Sequence, residues 1–438
     1  MVGPIKMPKF AIKTLGCKVN QYEGQVLREN LLHFGFRESG IQDADLVIVN
    51  SCTVTEQADI KTVKSIRRVK RENPGAKVFV TGCYAVFKED MERLQSLSEV
   101  HMVVPGRDKL KLPRILGSLF GVDRSDERAK EQISGFSSHT RAFIKIQDGC
   151  DQDCSYCKVS LVRGPSRSRD ERDILTEASR LIEADYREIV LTGICLGAWR
   201  GSNGQSVSDL LKKIDKLPGN FRARLSSVEP NHIDDSLIGE IAGSRKICRH
   251  LHISLQSGSD RVLNAMNRKY TTGQFSQLVG RIRERIPFIG LTMDVIVGFP
   301  GEGEKDFERT LGFIRKIKPS RLHVFRYSDR KGTRSFRSSG KVPSETAKSR
   351  AERLIKVGNE LQAEFCSRFV GREVDVLVER RSGGAFSEGY TGEYVRMKLD
   401  GFAGFEGNIV RVKVDSVDEE APCLIAGNIK KEKIKAFC

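Results

Sequence analysis

The chain lacks any long apolar run. Nowhere in its 438 residues do the roughly 18 uninterrupted apolar residues of a membrane span occur, so no membrane partner is expected. Residues 1–9 lack the apolar core of a secretory signal, and a cytoplasmic, reducing location follows as the expectation. Aromatic residues are sparse at 7%, with a single Trp, and no internal repeat or low-complexity tract is present, which leaves an ordinary globular composition rather than a solenoid or scaffold. Acidic charge is in deficit: 57 Asp and Glu face 74 Lys and Arg, a net charge of +17, which favours a polyanionic partner, RNA or DNA. Cysteine is the exception to this plainness. Eleven cysteines in a reducing compartment point to metal or redox chemistry rather than to a disulfide framework.

Three of the eleven stand together at Cys150, Cys154 and Cys157. This Cys-x3-Cys-x2-Cys loop supplies three thiolates and no fourth ligand. A structural zinc site closes with four ligands, and an ordinary iron–sulfur cluster takes four cysteines. A loop with three leaves one metal corner open, where a substrate or cofactor can bind. The bland alternative is an incomplete zinc knuckle that borrows a distant ligand.

A second constellation is spread over the first hundred residues. Strand-like runs at 9–15, 45–50 and 77–81 alternate with helical stretches at about 20–33 and 57–71, which predicts a parallel sheet. The three strands run out into Gly16-Cys17, Ser51-Cys52 and Gly82-Cys83. Sites in open α/β sheets gather beyond the carboxyl ends of the strands, so these three isolated cysteines are expected to meet. Small buried thiols are the alternative reading.

Residues 105–138 are rich in charge, Gly and Ser and read as a linker. Strand-like runs near 141–147, 188–192, 222–227, 250–255, 290–297 and 321–325 then alternate with amphipathic helices, which predicts a partial (β/α) barrel with its chemistry at the carboxyl ends of the strands. A helix over about 345–368 leads to period-two runs at 373–379, 393–399 and 408–414, read as a small antiparallel β-barrel. The fold class is therefore α/β: an open parallel sheet at 8–120, a central partial barrel at 136–366 and a β-barrel at 367–436.

Taken together, these units resemble the methylthiotransferases of the radical S-adenosylmethionine (SAM) superfamily over nearly the whole chain. The resemblance implies that the N-terminal unit holds an auxiliary [4Fe–4S] cluster on Cys17, Cys52 and Cys83. It implies a second [4Fe–4S] cluster on Cys150, Cys154 and Cys157, with the amino and carboxylate groups of SAM on its open iron. The last unit would be a TRAM-type RNA-binding barrel. The sequences around Cys17 (Lys18, Val19 and Asn20 following it), Cys52 and Cys83 are similar to the subgroup that acts on N6-threonylcarbamoyladenosine (t6A). That likeness implies transfer of a methylthio group to C2 of the t6A at position thirty-seven of tRNA, next to the anticodon. One SAM would donate methyl and a second would yield the 5′-deoxyadenosyl radical. Isopentenyladenosine in tRNA or a ribosomal protein as substrate, and a non-catalytic RNA-binding protein with structural metal, are the alternatives.

By the same resemblance Tyr156 packs near the SAM adenine and Arg268 meets the SAM carboxylate. Glu229 and Gln256, at predicted strand ends, face SAM, and Gly298 allows the backbone to approach a flat ring without a Cβ clash. Arg163, Arg167 and Arg169, just past the cluster loop, are expected to meet RNA or the t6A carboxylate. Tyr390 and Arg396 are expected to meet RNA from the terminal barrel, and the basic run 61–71 reads equally as a phosphate track or as a solvated helix face. The resemblance implies a tRNA anticodon stem-loop and an electron donor of the flavodoxin or ferredoxin type as partners, and no DNA. Cys195 stands where the family more often has His or Asn. Neither it nor Cys248, Cys366, Cys423 and Cys438 receives a role.

Overall fold

The computed structural model describes residues 7–122, 130–137, 139–379, 386–418 and 420–426. Cys438, the end of the last expected unit and part of the expected linker lie outside the described residues.

The N-terminal sheet contains β1 (Lys9–Thr14), β2 (Arg37–Glu38), β3 (Leu46–Ser51), β4 (Lys77–Gly82) and β5 (Met102–Val103), all parallel in the order β2-β1-β3-β4-β5. β3 is buried along its whole length because helices cover both faces. Leu46 and Ile48 pack against Leu27, Leu31, Leu112 and Leu116, while Val47 and Val49 pack against Ile66, Val69 and Leu94. A strand buried on both sides reads as a continuous apolar run, which is why this unit was legible. The helices Lys18–His33 and Glu56–Glu72 follow β1 and β3 as expected. Thr55 caps the second by accepting from Ala58 N at 3.2 Å, with Glu56 and Asp59 in its first turn and Lys70 and Arg71 in its last.

The central unit contains β6 (Ala142–Asp148), β7 (Arg167–Ser168), β8 (Glu188–Gly193), β9 (Arg222–Leu225), β10 (Ser227–Val228), β11 (His250–Gln256), β12 (Gly290–Val297) and β13 (Arg321–Arg326). They form two sheets, β7-β6-β8-β9 and β10-β11-β12-β13, parallel except for the short β7. β9 runs almost directly into β10, and Ala223 bridges Ile247, so the two sheets continue as an open arc, a partial barrel. Its helix-covered outer face is one continuous core that also takes in Tyr22 and Val26 from the N-terminal unit. Among the described residues no helix is long and apolar enough to cross a membrane.

Helix Ser344–Ser367 leads to β14 (Glu373–Glu379), β15 (Ser387–Thr391), β16 (Arg396–Leu399), β17 (Ile409–Lys413), β18 (Ser416–Asp418) and β19 (Cys423–Ala426), in the order β17-β14-β15-β16-β19-β18. The pairs are antiparallel except β16 with β19. The strand expected over 393–399 begins only at Arg396, because a turn precedes it and Tyr394 takes φ +66°. β15, polar and glycine-containing, carried no strand signal.

This sheet docks under the barrel through buried charge. Glu188, the first residue of β8, is fully buried and accepts from Arg222 Nε at 2.6 Å and Arg224 Nε at 2.7 Å. The same guanidiniums donate to main-chain carbonyls at the end of β15 and in the turn after it: Arg222 to Tyr390 O at 2.7 Å, Arg224 to Thr391 O and Gly392 O at 2.9 Å. Burial alone would raise the Glu188 carboxyl, but Arg224, Arg222 and Arg141 reverse this and hold it far below the ordinary carboxylate value. Docking therefore occurs at the amino ends of the barrel strands and leaves their carboxyl ends to the cysteine loop.

Candidate active site

The loop carrying Cys150, Cys154 and Cys157 leaves the carboxyl end of β6. Gly149 adopts φ +72°, and a Cβ there would stand 2.0 Å from Pro165 O, so only glycine allows the chain to turn. Cys150 N donates to Gly164 O at 3.0 Å, Ser155 N to Met266 O at 3.0 Å and Ser155 Oγ to Ala265 O at 2.8 Å, which pins the loop on both sides. Each sulfur faces a donor: Gln152 N to Cys150 Sγ at 3.4 Å, Val159 N to Cys157 Sγ at 3.4 Å, and Arg268 Nη1 to Cys154 Sγ at 3.2 Å. Burial pushes the Cys157 thiol up to about 12, whereas a hydrogen bond from Cys195 brings Cys150 down to about 7. Cys195, flagged by sequence only as a departure, thus sits beside Cys150, with its Sγ also 3.8 Å from His232 Nδ1.

The structure brings Glu229 and Arg268 to this loop. Arg268 Nη2 is ion-paired with Glu229, and its Nε donates to Tyr270 OH at 3.2 Å. Gln256 is buried at the carboxyl end of β11, where a register shift gives it φ +66°. Tyr156 packs into an apolar cluster with Val262, Met266 and Phe299. At Gly298 a Cβ would stand 2.7 Å from Ala347, so glycine there admits the helix Ser344–Ser367.

Cys17, Cys52 and Cys83 follow β1, β3 and β4, which are neighbours in the sheet. The register pairs Thr14 with Asn50 and Ser51 with Gly82, so the three chain ends emerge on one edge. Gly16 at φ +96° leaves room for Cys52, whose Sγ would lie 2.7 Å from a Cβ at that position. Burial pushes the Cys52 thiol up to about 11. The three cysteines wall one small cavity together with Lys158, Val159 and Arg163, residues of the segment directly after Cys157. The two thiol groups are therefore separated by one short helix, Val159–Arg163. Ties across the boundary hold this arrangement: Arg330 Nη2 donates to Thr53 Oγ1 and Asp59 Oδ2 at 2.7 Å, and Lys158 Nζ to Asp90 Oδ2 at 2.8 Å. Sequence reasoning missed Arg330, Lys158 and Glu23, all of whose partners lie far away along the chain.

Both triads are free thiols. They do not close about one point, for among the described residues no three His, Cys, Asp or Glu side chains enclose a position for a single ion. Sulfur-only donors with N–H groups aimed at the sulfurs suit a larger group, an iron–sulfur cluster held as thiolates, with one corner left to another ligand.

Residues 9–105 match the uncharacterized protein family UPF0004, and residues 144–314 match the radical SAM superfamily. Threonylcarbamoyladenosine tRNA methylthiotransferase MtaB of Thermotoga maritima is 36% identical over 98% of this chain and 100% of its own length. The protein of the same name from Bacillus subtilis is 35% identical over 93% and 94%. The chain belongs to the radical SAM methylthiotransferase family. A tRNA-2-methylthio-N(6)-dimethylallyladenosine synthase of Acetivibrio thermocellus, 32% identical over 94% of this chain and 89% of its own, marks the family's breadth. In fold, the methylthiotransferase is similar to the radical SAM methyltransferase TsrM of Kitasatospora setae, at TM-score 0.53 and 14% identity over 73% of this chain and 75% of that one.

The methylthiotransferase distributes its expected RNA-facing residues unevenly. Arg163 and Arg169 are committed to protein partners. Arg163 bonds Glu23 and Cys83, and Arg169 Nη1 donates to Tyr22 OH at 2.9 Å and to the fully buried Glu177 at 2.8 Å. Arg167 remains exposed beside a cavity of about 380 Å³ that Cys83 also lines. Arg396 is half-exposed and paired with Glu388. The Tyr390 ring stacks on Tyr394 at 4.8 Å with the Arg141 guanidinium 5.0 Å from its centre, so it belongs to the docking contact. On helix Glu56–Glu72, Lys61, Lys64 and Arg71 are exposed along an open groove that begins at Leu15, close to Cys17, while Arg67 and Arg68 are paired with Glu99 and Glu72. Cys248, Cys366 and Cys423 are buried thiols.

Proposed function

We propose that this enzyme transfers a methylthio group to C2 of N6-threonylcarbamoyladenosine at position thirty-seven of tRNA, using two [4Fe–4S] clusters. Cys150, Cys154 and Cys157 would hold one, and Cys17, Cys52 and Cys83 the other. The observation that carries this reading is that the segment directly after Cys157 walls the cavity of the other triad, since a reaction that both activates carbon and delivers sulfur needs its two centres on one substrate. The relatives from Thermotoga maritima and Bacillus subtilis both carry the threonylcarbamoyladenosine name, which favours that substrate over isopentenyladenosine or a ribosomal protein. When bound, a cluster with SAM at its open iron supplies one-electron cleavage of SAM, and the second cluster supplies the site for the incoming sulfur.

The chain's own residues bind, orient and exclude water. Arg268 orients Cys154 and Glu229, and Glu229 and Gln256 line the SAM side. Lys158 and Arg330 hold the N-terminal unit against the barrel mouth. Arg167, together with the exposed cations Lys61, Lys64 and Arg71, is the proposed contact for RNA phosphates or for the t6A carboxylate. The units 8–120, 136–366 and 367–436 would act as sulfur-donating, radical-generating and RNA-binding parts. A flavodoxin or ferredoxin type protein would supply electrons, and a tRNA substrate argues for the cytoplasm.

The test is an iron and sulfide count on anaerobically reconstituted protein, with turnover of t6A-containing tRNA. The wild type is expected to hold about eight irons, falling to about four when either cysteine triad is replaced by alanine, with activity lost in both. About four irons in the wild type, unchanged by loss of Cys17, Cys52 and Cys83, would refute the two-cluster reading. Full loading without t6A turnover would redirect the search to another substrate.

A further inference from the structure

The two thiol triads share one construction. In each, a single cysteine receives a guanidinium N–H, and the arginine is held by a glutamate: Arg268 on Cys154 with Glu229, and Arg163 on Cys83 with Glu23. Both N–H···S contacts measure 3.2 Å. The N-terminal pair differs in origin. Cys83 follows β4 of the first sheet, whereas Arg163 ends the short helix that follows Cys157 in the central unit.

The Arg163 guanidinium is held from several sides. Nη1 donates to Glu23 Oε1 at 2.5 Å and Nη2 to Glu23 Oε2 at 3.1 Å, while Asp148 Oδ1 lies 3.2 Å from Nη1. Glu23 in turn accepts from Lys109 Nζ at 2.6 Å and Lys145 Nζ at 3.5 Å, one cation from each unit. The side chains of Arg163 and Glu23 are 8% and 13% exposed, so water competes little for these bonds. A planar fork can grip a carboxylate with two N–H groups and still present an N–H to a sulfur in fixed geometry. The expectation that Arg163 reads RNA leaves this geometry unexplained.

We propose that Arg163, clamped by Glu23, is a positioning residue for the N-terminal triad. It orients Cys83 and sets the electron affinity of the cluster held there, so that this site is complete only when the central unit is docked. The proposal rests on the two-cluster reading. Its physical basis is that a charge-assisted N–H···S bond stabilises added negative charge on a thiolate-bound cluster, and hydrogen bonds and net charge at the sulfurs tune cluster potentials. A mere strut between units would affect stability and leave the potential alone.

The test uses the full-length protein with Cys150→Ala, Cys154→Ala and Cys157→Ala, so that only the N-terminal triad loads. Iron is counted and the midpoint potential is read by spectroscopically monitored redox titration in that parent and with Arg163→Gln, Arg163→Lys or Glu23→Gln added. We expect about four irons throughout. Arg163→Gln should weaken electron affinity at least tenfold, a fall of about 59 mV for a one-electron couple. Arg163→Lys should recover only part, and Glu23→Gln, which removes a nearby negative charge while its amide oxygen still accepts from Arg163, should move the potential upward. An unshifted potential in iron-loaded Arg163→Gln overturns the proposal. If Arg163→Gln loses its iron, the lysine variant decides: iron retained at a lowered potential supports the proposal, and iron retained at the parent potential overturns it. A parent with no iron would instead refute the two-cluster reading and the proposal with it.

Discussion

Replacing Glu188 by glutamine removes a buried negative charge that faces two buried guanidiniums. Glu188 is fully buried, and the Arg222 and Arg224 side chains are only 9% and 3% exposed. Breaking a buried pair by removing one partner costs about 3–5 kcal/mol, because the remaining charge is left uncompensated. Glutamine keeps one oxygen able to accept from Arg222 or Arg224, so the loss should lie near 3 kcal/mol, roughly a hundredfold in the folding equilibrium. Alanine should approach 5 kcal/mol by the same argument. The chain's single tryptophan, Trp199, is buried in the central core, so its fluorescence in urea follows the unit to which Glu188 belongs. With a slope of about 1–3 kcal/mol per molar urea, the glutamine variant should lose about 1 M or more from its midpoint.

The pH dependence has a definite sign. The folded Glu188 carboxyl lies below its unfolded value of about 4.3, so its contribution is complete above that value and is lost as pH falls through the folded one. The gap between wild type and Glu188→Gln should therefore be full at pH 7 and narrow as pH drops below about 4. A glutamine variant within about 0.5 kcal/mol of wild type at pH 7 would refute the reasoning, since that is the range of inert surface changes.

Two further outcomes follow from the geometry. Replacing Lys61, Lys64 and Arg71 together by glutamine should lower the slope of log affinity for tRNA against log salt by about 0.7–0.9 for each lost phosphate contact, with iron content unchanged; an unaltered slope would return that helix face to bulk solvent. Gly298→Ala should cost about 1–3 kcal/mol of stability, from φ +77° and a Cβ 2.7 Å from Ala347, and should leave SAM affinity near wild type in equilibrium dialysis. A large loss of SAM affinity without destabilisation would restore the ring-contact reading of that glycine.

The cysteine triads were legible for local reasons. Cys150, Cys154 and Cys157 are close in sequence, and a short loop keeps them close in space. Cys17, Cys52 and Cys83 are far apart, but each follows an apolar strand, and parallel pairing converts equal strand ends into one edge. Charge was legible only as charge. Arg163, Arg167 and Arg169 look alike along the chain, yet Arg167 stays exposed while Arg163 and Arg169 fold onto Glu23 and Glu177. Tyr390 likewise reads as a stacking surface, and it was the docking of the last sheet under the barrel that gave its ring to Tyr394 and Arg141.

Sequence by itself determined the alternation of strands and helices, the two groups of three thiols and the excess of positive charge, because periodicity, spacing and composition are properties of short stretches. Tertiary structure alone decided which cations stay exposed and which meet carboxylates. It also decided that Gly298 admits a helix, that Cys195 lies against Cys150, and that the segment after Cys157 walls the other triad. Those facts depend on partners brought together from distant parts of the chain, whose pairing is set by how whole units pack and by the cost of leaving any buried charge alone.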